Sequence, residues 1–115
     1  MELIEDIKKR LEVEVREYSD EEEYFEGVVR SEDLGQLAEI LRNSLGEPIK
    51  QAGKQARFPR HLNKLIGLIG GIRIEQSFYI KEGEGSNFVF AAIWPWQSDN
   101  SRVTLKIGWG RLSEL

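Results

Sequence analysis

Apolar residues recur at helical spacing in three stretches of the chain. Leu3, Ile4, Ile7 and Leu11 share one side of a helix over 2–11, because side chains three and four positions apart line the same face. Leu34, Leu37, Ala38, Leu41 and Leu45, widened by Ile40, form a second stripe that predicts a helix over 32–45. Ser31 is a suitable N-cap, Glu32 and Asp33 suit the positive end of the helix dipole, and Gly46 followed by Pro48 stops the run. Leu62, Leu65, Ile66 and Ile69 predict a third helix over 59–69, opened by Pro59 and closed by Gly70-Gly71.

Elsewhere the period is two. Residues 24–30 (YFEGVVR) are β-branched and aromatic enough for a strand. The stretch 11–15 (LEVEV) also alternates, which leaves the end of the first helix open to either reading. After Gly71, Ile72, Ile74, Phe78 and Ile80 face one way while Arg73, Glu75, Ser77, Tyr79 and Lys81 face the other. A three-residue hairpin loop at 83–85 sets Lys81 against Asn87, Ile80 beside Phe88 and Phe78 beside Phe90. A four-residue loop at 98–101 sets Trp96 beside Val103, Trp94 beside Leu105 and Phe90 beside Trp109. Together these registers put the large apolar residues of three strands on one face.

The expected fold is therefore α+β. It is a two-layer sandwich in a single domain, 1–115, with a three-to-four-stranded, mainly antiparallel sheet. The sheet is a C-terminal β-meander extended by 24–30, with helices 32–45 and 59–69 packed on its aromatic-rich face. A sheet with one solvated face alternates cleanly, and the segment from Phe88 to Trp96 does not. Its second face presents Val89, Ala91, Ile93 and Pro95, flanked by Tyr79 and by the small residues Gly108 and Gly110, with Lys106 at the margin. Three bodies suit such a face: the chain's own first helix, a second copy of the protein, or a flat apolar ligand with a polar end.

Charge changes the picture by being segregated. Residues 1–47 hold six Lys/Arg against fifteen Asp/Glu, a net −9, and residues 48–115 hold ten against five, a net +5. The expectation is that the two parts fold against each other and screen one another. The acidic run 19–23 (SDEEE) reads as a solvated turn. No apolar run reaches the ~20 residues of a membrane helix, and the opening MELIEDIKKR lacks a signal-peptide core, so no membrane partner and a cytoplasmic location are expected. With no cysteine, disulfides, thiolate metal sites and cysteine nucleophiles are excluded.

Candidate chemistry is sparse. The stretch 46–55 (GEPIKQAGKQ) fails as a phosphate loop in spacing, in its residue after the lysine and in context. His61, the single histidine, has no nucleophile or orienting acid specified by any local signature, and one histidine without cysteines makes a poor transition-metal site. Glu82 and Glu84 fall at an exposed hairpin tip, and Glu75 on a solvated sheet face. No catalytic residue, metal or cofactor is expected. The most distinctive polar feature is the acid-free window containing Lys50, Lys54, Arg57, Arg60 and Lys64, with Phe58 as its lone aromatic. Such a cluster can hold phosphates through counterion release, although single-strand binding also wants stacking aromatics.

These readings converge on a non-enzymatic protein-interaction module, expected as a homodimer or with another protein, acting through Tyr79, Val89, Ala91, Ile93 and Lys106. Weak nucleic-acid or phosphate binding through Lys50, Lys54, Arg57, Arg60 and Lys64 is the second expectation. Small-ligand binding near Trp94, Trp96 or Trp109 is the third.

Overall fold

A computed structural model describes all 115 residues. Helix α1 (Glu2–Arg10) leads into strands β1 (Glu14–Ser19) and β2 (Tyr24–Arg30), then helix α2 (Leu34–Leu45), helix α3 (Asn63–Leu68) and strands β3 (Ser77–Glu82), β4 (Asn87–Pro95) and β5 (Arg102–Arg111). The strands form one antiparallel sheet in the order β1-β2-β5-β4-β3. The α+β class and the antiparallel meander are as the alternation predicts. The sheet has five strands because the ambiguous stretch after α1 resolves as a strand: Leu11 is already extended and β1 pairs with β2 through the acidic turn.

Helices cover both faces of the sheet, which corrects the expectation of one helical layer. On one face α1 and α2 bury Leu3, Ile4, Ile7, Leu37, Ile40 and Leu41 against Phe25, Val29, Tyr79, Ala91, Ile93, Val103, Leu105 and Ile107. On the other face α3 sets Leu62 and Leu65 on Phe78, Ile80, Phe88, Phe90 and Ala92. The continuously apolar β4 is thus covered front and back.

Loop length decides which face each side chain of β5 takes. The first hairpin is closed by the Gly83 N–H donating to the Asn87 carbonyl at 2.8 Å, which leaves Glu84–Ser86 as its three-residue loop, so Ile80 faces Phe90 and Phe78 faces Ala92. That slip of two residues keeps every side chain on its expected face. The second hairpin is closed by the Trp96 N–H donating to the Arg102 carbonyl at 3.1 Å, which leaves Gln97–Ser101 as the loop. Asp99 holds it by accepting from the Ser101 N–H at 2.9 Å. One more residue than expected shifts the register by one: Phe90 now faces Gly108 and Trp94 faces Thr104. A one-residue slip turns a whole strand over. Val103, Leu105 and Ile107 therefore enter the core under α1 and α2, and Thr104, Lys106 and Gly108 join the α3 face.

Ser31 is not an N-cap. It opens a 3-10 turn (Ser31–Asp33), and its hydroxyl donates to the Asn100 carbonyl at 2.8 Å. Gly46 ends α2 at φ 86°, as its place after the stripe predicts. The third helix is shorter than expected, a 3-10 turn at Arg60–Leu62 running into α3.

Candidate interaction cleft on the open half of the sheet

The residues expected to form the interaction face do not form an accessible surface. Tyr79, Ala91 and Ile93 are 3%, 0% and 4% exposed, and Val89 packs half-buried against the same cluster. The chain's own α1 and α2 are the body that covers them. Lys106 does not join them, because the slip in β5 turns it to the opposite face, where its ammonium lies 4.3 Å from the centre of the Trp94 ring.

The basic segment is also divided. Lys50 is 2% exposed, and its ammonium donates to the carbonyls of Ile74 at 2.6 Å and Gln76 at 2.7 Å. Its backbone pairs with Phe78 at the edge of β3. Burial pushes the Lys50 ammonium below its ordinary value, but the group is used up as an internal strap and is removed from any anion site. Lys64 donates to the Leu115 carbonyl. Lys54, Arg57 and Arg60 are exposed, and no carboxylate lies within 4 Å of any of them. The expected mutual screening of the two halves is reduced to one ion pair across the chain, Glu14–Arg102 at 3.6 Å. His61 Nε2 lies 2.9 Å from Glu82 Oε1 on the surface.

What the sheet leaves open lies beside α3. That helix is short and covers only β3 and β4, so on its side β5 and β2 present Thr104, Lys106, Tyr24 and Glu26 half-exposed. Trp96 Nε1 donates to Thr104 Oγ1 at 2.8 Å, and the Tyr24 hydroxyl donates to Glu26 Oε1 at 2.8 Å. Burial, together with that acidic partner, pushes the Tyr24 phenol well above its ordinary range, so it stays neutral. A cleft of about 370 Å³ separates α3 from β5. Leu68 and Ile69 form one wall, Phe88 and Phe90 the other, and Gly108 the floor. Only glycine fits that floor, since a Cβ on residue 108 would overlap the Phe90 ring. Leu68 stands at the lip and is 64% exposed.

Acids ring the mouth. Glu22 and Glu23 line the cleft together with Lys106, and the same hairpin carries Asp20 and Glu21 on its turn, Glu17 on β1 and Glu26 on β2. None of the six has a cationic nitrogen within 4 Å. A hydrogen bond with Glu22, with repulsion from Glu22 and Glu26 adding to it, holds the Glu17 carboxyl above its ordinary value. A larger hollow of about 540 Å³ between α1 and α2 is lined mainly by polar side chains, among them Asp6 and Arg10, which already pair at 3.6 Å. It offers little apolar surface.

Trp94 packs on the α3 side, where Trp96 bonds Thr104, while Trp109 packs against the α1–α2 cluster and also borders the cleft beside α3. Leu68 was legible in the sequence as the one apolar residue of its helix outside the buried stripe. The pairing of Lys106 with Trp94 was not, because it follows from the slipped register. No protein-family model matches the chain, and no curated protein or solved structure is significantly similar to it.

Proposed function

We propose that the protein is a non-enzymatic protein-interaction module acting in the cytoplasm, and that its contact surface is the cleft beside α3 with the adjoining open half of the sheet. The observation that carries this reading is Leu68, 64% exposed at the lip of an apolar-walled cleft. Exposed single leucines are common, but one continuous with a concave apolar surface marks a contact. Self-association is the form proposed. A stable dimer buries about 800 Å² per partner, a modest share of the 6961 Å² surface of one molecule. Light scattering across a concentration series tests it. Wild type is expected to approach twice the chain mass, and Leu68→Asp, whose side chain is outside the core, is expected to remain folded and monomeric. A wild type that stays monomeric at every concentration removes the dimer.

One observation favours a second reading, anion binding by the loop before α3. Lys54 and Arg57 line a hollow of about 320 Å³ with Gln51 and Gln55, and neither has an acidic partner. Binding of a labelled oligonucleotide that weakens with salt and disappears in Arg57→Glu/Arg60→Glu would support it. No binding at low salt would end it.

A further inference from the structure

We infer that the body received by the cleft is the basic loop of a second copy of this chain, in a closed dimer with two identical contacts. The inference rests on the reading of the cleft as a contact surface and adds what enters it.

Two surfaces of opposite charge stay unneutralised within one molecule. Around the cleft mouth the β1–β2 hairpin carries six acids, Glu22 and Glu23 on the cleft itself, none of them ion-paired, against the single cation Lys106. Before α3 are Lys54, Arg57 and Arg60 without an anionic one. Within the hairpin a hydrogen bond with Glu22, and repulsion from Glu22 and Glu26, raise the Glu17 carboxyl. Crowded like charges destabilise the free molecule and are relieved when an oppositely charged surface docks.

Topology puts the two surfaces on one broad face. The loop is held beyond β3, at the edge of the sheet, by the backbone pairing of Lys50 with Phe78. It lies on the α3 side, because the Phe58 ring meets the Phe78 ring edge-on at 5.6 Å and Phe78 belongs to the core under α3. The cleft lies on the same side, running from α3 over β4 and β5 to the β1–β2 turn. Along the face the sequence is thus acid, α3, base.

A face built that way is complementary to itself. A half-turn about an axis through α3 brings the acidic flank of each copy onto the basic flank of the other. Both contacts form at once and the assembly closes at two, so no fibre follows. Leu68 lies near that axis and supplies apolar contact from both copies. Exposed ion pairs contribute little stability individually; here the charges set the register and speed the encounter, and the apolar centre holds the pair. The edge of β1 is guarded against strand pairing: Glu14, Arg16 and Glu17 are exposed there, and a bulge between Val15 and Glu17 interrupts its regularity.

Charge-exchange variants test the arrangement by sedimentation equilibrium at low salt, with circular dichroism to confirm folding. Asp20→Lys/Glu21→Lys/Glu22→Lys/Glu23→Lys leaves two acids against four lysines and makes the cleft mouth basic, and Arg57→Glu/Arg60→Glu makes the loop acidic. Each variant alone is expected to lose self-association by at least about tenfold, because both contacts become repulsive. An equimolar mixture of the two is expected to recover it, since both contacts of the mixed dimer again join opposite charges. Raising salt toward physiological strength, where screening acts beyond about 8 Å, is expected to weaken the wild-type dimer and the mixed dimer alike. If both variants dimerise as wild type does while Leu68→Asp does not, the cleft remains the contact and the basic loop is not its occupant. If the variants are monomeric and the mixture stays monomeric, or if wild type itself is monomeric at low salt, the proposed dimer is wrong.

Discussion

Gly108 is the residue on which the α3 side of the sheet turns. It faces Phe90 across the ladder, and the ring occupies the space a side chain would take. Gly108→Ala forces that ring off its rotamer and is expected to cost about 1–3 kcal/mol. Gly35→Ala is the contrasting case: its site in α2 opens onto free space, so the change restricts the unfolded chain and should stabilise by about 0.4–1 kcal/mol. Urea unfolding of both variants checks the pair. Lys50 is the other decisive residue. Lys50→Met keeps the volume and leaves the Ile74 and Gln76 carbonyls without their donor, an expected loss of about 1–3 kcal/mol. Titration of the Tyr24 and Tyr79 phenols has a definite sign. Burial holds Tyr24 and Tyr79 above their ordinary value, so above about pH 10 the unfolded chain sheds protons that the folded chain keeps. The unfolded state then binds fewer protons, and stability falls as pH rises through that window. Burial of Lys50 acts in the opposite sense there. Comparing urea midpoints of wild type and Tyr79→Phe below and above about pH 10 isolates the phenol: the variant should lose less.

At the scale of elements, the loop Gln97–Ser101 decides which half of β5 is core. Deleting one of its residues imposes the shorter register and turns Val103, Leu105 and Ile107 away from α1 and α2. The expected outcome is loss of a cooperative melt followed by circular dichroism; a variant that melts as sharply as wild type would show that another constraint sets the register. The loop is also fastened to the start of α2, since Ser31 bonds to Asn100 and Ser101 through its hydroxyl and its N–H. That explains why a serine placed like a cap does a different task. α3 is held more lightly, by Leu62 and Leu65 with Ile66 and Ile69 at their sides. Leu65→Ala should cost about 2–5 kcal/mol and open the cleft wall.

For the whole molecule, the governing feature is a separation of charge that folding leaves in place. The acidic first part and the basic second part meet through one ion pair, Glu14–Arg102, so the surplus on each flank of α3 stays exposed to a partner. Helix positions, the stop at Gly46 and the alternation of the meander could be read from spacing alone. The periods 3.6 and 2 are properties of neighbouring residues, and turn glycines act on their own backbone. The need to cover β4 on both sides was legible for the same reason. What filled each side was not. The face that looked available for a partner is the seat of α1 and α2, while the open surface lies beside α3. One residue of loop length decided the orientation of β5, and with it the places of Lys106, Leu105 and Gly108. The fate of Lys50 was settled by carbonyls 24 and 26 positions away along the chain. Contacts at that separation depend on how loops close and on which layer reaches the sheet, and local spacing carries no record of either; only the tertiary structure decides them.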